Sequence, residues 1–199
     1  MRPQTLFELL VLEAVVYGLQ ILFYFGCEKF QKDFHDVSRN FDRKVPMIPA
    51  TVLIYMLWFP MIGLFPLAAF RSDPDAAFMY MICIIVCDVI SIPVYMIYPT
   101  TFERPLLGNT MMDKLLGFVR GASYRGLNCA PSLHCSQCYV TIVCAMVCRG
   151  MPIALKAVFI AAAAGVVIST QTTKQHVIID ALTAIPVAAA AAAAGFLVL

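Results

Sequence analysis

The stretch AAFMYMICIIVCDVISIPVYMIY, residues Ala76–Tyr98, carries a single charged side chain, Asp88. About 20 such residues, rising 1.5 Å each as an α-helix, cross the hydrocarbon layer of a bilayer. The same reading extends to Leu6–Gly26 and Met47–Phe70 before it, and to Ser132–Arg149, Ile153–Thr170 and Val177–Leu199 after it. The predicted fold is therefore all-α: a polytopic membrane protein in which residues 1–199 form one six-transmembrane-helix bundle. Of the 199 residues, 61% are apolar and 13% charged, where a soluble domain has about a quarter charged. The mean hydropathy is +0.83. A net charge of +2 without a basic stripe carries no nucleic-acid signal. Leu6–Gly26 follows a lone Arg2 and has no small-residue cleavage pattern, so it reads as an uncleaved helix.

Most of the eight cysteines lie inside these runs, with Cys83 and Cys87, and Cys144 and Cys148, four apart on single helical faces. They read as small hydrophobes between helices. The alanine run Ala188–Ala194 suits close helix approach in lipid. Two connections are long. In Cys27–Pro46, Phe30, Phe34, Val37 and Phe41 recur at steps of four, three and four among charged residues. That spacing predicts an amphipathic helix in the membrane interface. Pro99–Pro131 holds Arg104, Lys114, Arg120, Arg125 and several glycines, and a loop of that length is more often functional than passive. With six spans, both connections and the turn Gln171–Gln175 emerge on one side.

Three segments on that side carry chemistry. Arg104-Pro105 follows the third run, Pro131-Ser132-Leu133-His134 opens the fourth, and Ser169 through Lys174, His176 and Asp180 leads into the sixth. His176 and Asp180, four apart, share a helical face. The carboxylate can hold one imidazole nitrogen and leave the other as nucleophile or base. An acid one turn inside an apolar helix is costly and usually functional; the plain alternative is a pair that only caps the helix. Pro131 and Ser132 suit a helix start, where free N–H groups favour an anion. His134 would then stand beside a phosphate, placed to protonate a leaving oxygen. Arg104 offers a planar fork for phosphate oxygens and Lys174 a second cation, although interfacial cations also commonly meet lipid headgroups.

These segments resemble the signature of the membrane-bound type-2 phosphatidate phosphatase superfamily: an R-P element, a P-S-x-H element and an S-x6-H-x3-D element in that order. The resemblance implies six helices, no metal or other cofactor, and lipid phosphates as substrates, in contact with membrane lipids at the cell membrane. It implies that His176 is the nucleophile, Asp180 its orienting partner and His134 the general acid, with Arg104, Ser132 and Ser169 holding the phosphoryl group. Two cations of the pattern are missing, their places taken by Ile97 and Thr170, and Lys174 is expected to replace one of them.

Other readings compete. Cys129, His134, Cys135 and Cys138 have ligand types suited to zinc, but on a helix Cys135 points away from the His134/Cys138 face. Glu13 and Asp88 lie mid-helix, as in ion-coupled transporters, yet six helices without a repeat are few for that class. Ten of the fourteen Lys and Arg residues fall on the side of the three segments, which puts that side in the cytoplasm, whereas most members of the resembling family place it outside. A lipid-phosphate phosphatase, a lipid phosphotransferase and a non-catalytic binding or transport protein all remain open on sequence.

Overall fold

The computed structural model describes residues 2–122 and 126–198; Arg125 and Leu199 lie outside them. The order is α1 (Leu6–Cys27), β1 (His35–Asp36), 3-10 turns at Asn40–Lys44 and Pro49–Thr51, α2 (Val52–Tyr55), α3 (Trp58–Ser72), α4 (Pro74–Ile97), β2 (Thr100–Thr101), α5 (Met111–Ala122), α6 (Leu133–Val147), α7 (Ile153–Thr172) and α8 (Ile178–Phe196). Among the described residues five helices, Leu6–Cys27, Pro49–Ser72, Pro74–Ile97, Ile153–Thr172 and Ile178–Phe196, are long and apolar enough to cross a membrane. The helix at Leu133–Val147 is apolar but has 15 residues, about 22 Å of rise.

Local chemistry fixes the helix starts. Thr5 and Glu8 form a reciprocal capping box on α1. Asp73 caps Ala76, Pro74 occupies the first turn of α4, and the other Asp73 oxygen accepts the Arg149 N–H at 2.7 Å. One carboxylate thus ties the α3–α4 turn to the α6–α7 turn. The core gathers around α4, where Met79, Tyr80, Met81, Cys83, Ile84, Cys87 and Tyr95 are fully buried against α1, α3, α6 and α8. All eight cysteines are buried and free, which agrees with packing as small hydrophobes.

Small residues let α8 approach α4. Ala191 is fully buried with its carbonyl 3.2 Å from Cys83 Sγ, and a Cβ built on Gly195 would lie 2.6 Å from Cys83 Sγ and 2.9 Å from Met79 Cγ. Neither atom is the free end of a long side chain. Gly195→Val is therefore expected to cost about 1–3 kcal/mol by overpacking, read as a lower midpoint of detergent-induced unfolding.

The first connection is not the amphipathic helix that its spacing predicts. Among residues 28–46 the backbone is spent elsewhere: His35 N–H donates to Pro99 O at 2.9 Å and Val37 N–H to Thr101 O at 3.0 Å, pairing β1 parallel to β2. Of the four apolar residues, Val37 alone is buried, with Phe102, Cys129 and Val177, while Phe30, Phe34 and Phe41 are exposed. These tertiary bonds outcompete a helical face that would have had only lipid to rest on. Among the described residues α5 is amphipathic instead, burying Leu116 and exposing Met111 and Phe118.

Candidate active site

The three sequence segments converge because each is bonded to another. Ser132 N–H donates to Asp180 O at 3.2 Å, joining the start of α6 to the start of α8. The N–H groups of Gln175 and His176 both donate to Thr170 O at 3.0 Å, folding the α7–α8 turn back on itself, with Lys174 at a left-handed φ of 53°. Tyr95 OH donates to Pro131 O, and Thr101 Oγ1 to Gly126 O at 3.1 Å. Gly126 has φ +63°, and a Cβ there would stand 3.5 Å from Arg104 Cζ. The position therefore needs glycine for its backbone and gives the guanidinium a flat wall.

Four side chains then form a line. Asp180 Oδ2 lies 3.0 Å from His176 Nδ1 and also accepts the Val177 N–H at 3.0 Å. His176 Nε2 lies 3.3 Å from His134 Nδ1, and His134 Nε2 lies 2.8 Å from Tyr55 OH. With Asp180 ionised, the donors follow by elimination. A carboxylate only accepts, so Nδ1 of His176 carries its proton and Nε2 keeps a lone pair. His134 Nδ1 then donates to that lone pair, and His134 Nε2 accepts from the Tyr55 hydroxyl. Trp58 packs on His134 at 4.4 Å between ring centroids, which fixes the ring's tilt.

The cations take two positions. Arg104 lines a cavity of about 30 Å³ with His134, His176, Tyr24, Tyr55 and Gln175. Lys174 lines a second, outer cavity of about 490 Å³, which meets the first at His176 and also holds Arg39, Asp42, Arg43 and Glu103. Lys174 Nζ donates to Asp42 O at 2.8 Å. Burial holds its ammonium below the ordinary lysine value, and the Asp42 carboxylate opposes that shift. Arg120, a residue of α5, donates to Pro105 O at 2.7 Å and Thr173 O at 3.0 Å. Burial and the nearby Arg104 charge both hold its guanidinium below the usual arginine value. Two like charges gathered this way make a ready anion site.

Not every expected residue reaches a cavity. Ser132 Oγ accepts the Cys135 N–H at 3.2 Å as the α6 cap, and Ser169 Oγ donates to Val166 O at 2.7 Å. Both serines are buried and bonded within their own helices. Thr170 Oγ1 turns to Val167 O, 2.7 Å away. Ile97 is 83% exposed and lines neither cavity. Cys135 Sγ meets Thr170 Oγ1 at 3.7 Å, and among the described residues no three His, Cys, Asp or Glu side chains converge as a ligand set. Sequence reading overlooked Tyr55 and Gln175. Tyr55 sits in an apolar run where it reads as core, while the position of Gln175 between Lys174 and His176 was a usable signal.

Comparison with family models, with curated proteins and with solved structures finds no match to the chain.

Proposed function

We propose that this protein is a lipid-phosphate phosphatase of the cell membrane, working through a phosphohistidine at His176 and belonging with the type-2 phosphatidate phosphatases that its motifs resemble. The observation that carries this reading is the line Tyr55–His134–His176–Asp180 with Arg104 on the same cavity. It supplies a nucleophile with a free lone pair, an orienting carboxylate, a proton donor aimed at the nucleophile and a cation for the phosphoryl oxygens. In this reading the chain crosses the membrane six times, and Leu133–Val147 is the short crossing, accommodated by local thinning of the bilayer.

The reaction runs in two balanced steps. The His176 Nε2 lone pair attacks phosphorus while the bond to the leaving oxygen breaks. His134, made imidazolium by the proton that a phosphate monoanion brings in and with Tyr55 OH now accepting its Nε2–H, gives its Nδ1 proton to that oxygen and returns to neutral. Asp180 stabilises the charge that develops on the His176 ring, and Arg104 the charge on the phosphoryl oxygens. Water then gives a proton back to His134 as its oxygen attacks phosphorus, releasing phosphate and restoring His176. A cavity of 30 Å³ has room for about two waters, so the phosphoryl group enters by parting the two rings from their 3.3 Å contact. The substrate is a phosphate monoester or pyrophosphate of a membrane lipid, such as phosphatidate or a prenyl diphosphate.

A second reading, transfer to an alcohol instead of water, is supported by the 490 Å³ outer cavity at His176, which lies in the range of small-molecule sites. The test is phosphate release by the purified full chain from a panel of lipid phosphates, with EDTA present. Steady release is expected. Release of the other fragment only when an alcohol is added identifies the transferase, and no turnover in either format overturns both and leaves a binding or transport role.

A further inference from the structure

Beside His134 lies a third cavity, of about 250 Å³, which the reaction above does not use. It runs between the last turns of α1, the start of the second span and α5. Tyr24, Tyr55, Val119 and His134 line both this cavity and the 30 Å³ phosphoryl cavity, so the two adjoin across these side chains. Its wall is otherwise nearly all apolar, with Ile21, Phe25, Trp58, Phe59, Phe118 and Leu133. Ile21, Phe59 and Phe118 are 58%, 55% and 77% exposed, so the cavity opens sideways, along helices that carry the apolar character of membrane spans, rather than into the charged outer cavity. The indole N–H of Trp58 is buried without a hydrogen-bond partner, leaving one unused donor in an oily wall.

We infer that this cavity is the slot for one hydrocarbon chain of the phosphate-bearing lipid, and that the lipid alcohol is the leaving group. This rests on the phosphoryl-transfer reading. His134, the proton donor, is one of the four residues shared by slot and phosphoryl cavity, whereas His176, the nucleophile, is shared with the charged outer cavity and does not line the slot. A leaving oxygen beside His134 therefore has its substituent on the apolar side. The attacking water or alcohol comes from the polar side, past Arg39, Arg43 and Lys174. The volume, just below the roughly 300 Å³ where drug-sized sites begin, suits one chain.

Trp58 is the single tryptophan of the chain, so its fluorescence reports on the slot without any turnover. The probe is a single-chain alkyl phosphonate brominated at mid-chain, which His176 cannot cleave, set against a neutral alkyl maltoside carrying the same brominated chain. Quenching by the phosphonate is expected to saturate, and its midpoint to weaken about tenfold in Ile21→Phe, which fills the mouth of the slot. The same variant is expected to raise KM for a long-chain phosphate about tenfold and leave that for glycerol phosphate unchanged. Equal quenching by phosphonate and maltoside, or no response to Ile21→Phe, overturns the slot; a slot occupied by neutral lipid or by a partner helix gives that result. Phosphate release with no chain-specific quenching keeps the phosphatase and removes the slot. Saturable quenching with no release keeps the slot and removes hydrolysis.

Discussion

His176→Ala is expected to lower turnover of any lipid phosphate by about 10⁴-fold or more, because it removes the proposed nucleophile. Loss of a nucleophile acting together with its base costs on the order of 10⁶ in well-studied hydrolases. The variant also leaves the Asp180 carboxylate, itself fully buried, with the Val177 N–H as its sole remaining donor, so folding must be checked. His176→Gln, which keeps a hydrogen-bonding side chain of similar reach, separates loss of chemistry from loss of fold. Rapid quenching of the wild type into alkali, with labelled substrate, is expected to trap a phosphoenzyme that acid discharges, as phosphoramidates are. Turnover by both variants within tenfold of wild type would show that the nucleophile lies elsewhere.

Asp180→Asn is expected to cost about 10³- to 10⁴-fold in kcat with little change in stability. Asparagine caps helices about as well as aspartate, so the bond from Val177 N–H survives. What goes is the charge that stabilises the His176 ring and the certainty that Nδ1, not Nε2, holds the proton. The same exchange behind the histidine of a serine protease costs about 10⁴. A fall of less than tenfold would mean that Asp180 only caps α8, the plain alternative that its spacing from His176 always allowed. Kinetics and unfolding measured on one preparation decide between the two.

The apolar runs were legible because length and composition alone define a membrane span. Four of the six expected spans match the helices closely. The second is interrupted at Met56–Leu57 and the fourth stops at Val147, short of the expected Arg149. The His176/Asp180 pair was legible from its spacing, although not as a shared helical face: His176 precedes α8, and Asp180, at the third helical position, turns back to meet both the His176 ring and the Val177 N–H. The pairing of His134 with His176 was not: it depends on Ser132 N–H reaching Asp180 O across 48 residues of sequence, as no local pattern records. Nor was the fate of Phe30–Phe41. Its helical period was real, but the parallel pairing of His35–Asp36 with Thr100–Thr101 depends on where α4 delivers the chain. The serine hydroxyls show what motif position does not reveal: it suggests contact with phosphate, and in the structure each hydroxyl bonds within its own helix.

Asp42 gives the site a timetable. Its Oδ1 accepts the Ile178 N–H at 3.0 Å over a separation of 136 residues, and its carbonyl receives Lys174 Nζ. A ribosome adding about 5–20 residues per second needs roughly 7–27 s to cover that interval. Throughout that time the earlier helices are already passing through the insertion machinery, while the Asn40–Lys44 turn waits at the surface with neither partner yet made. Any chaperone or translocon subunit that recognises this exposed, charged turn has a defined window in which to act. The line of Tyr55, His134, His176 and Asp180 closes only when the His176–Asp180 segment arrives, so no shorter chain holds the proposed site complete.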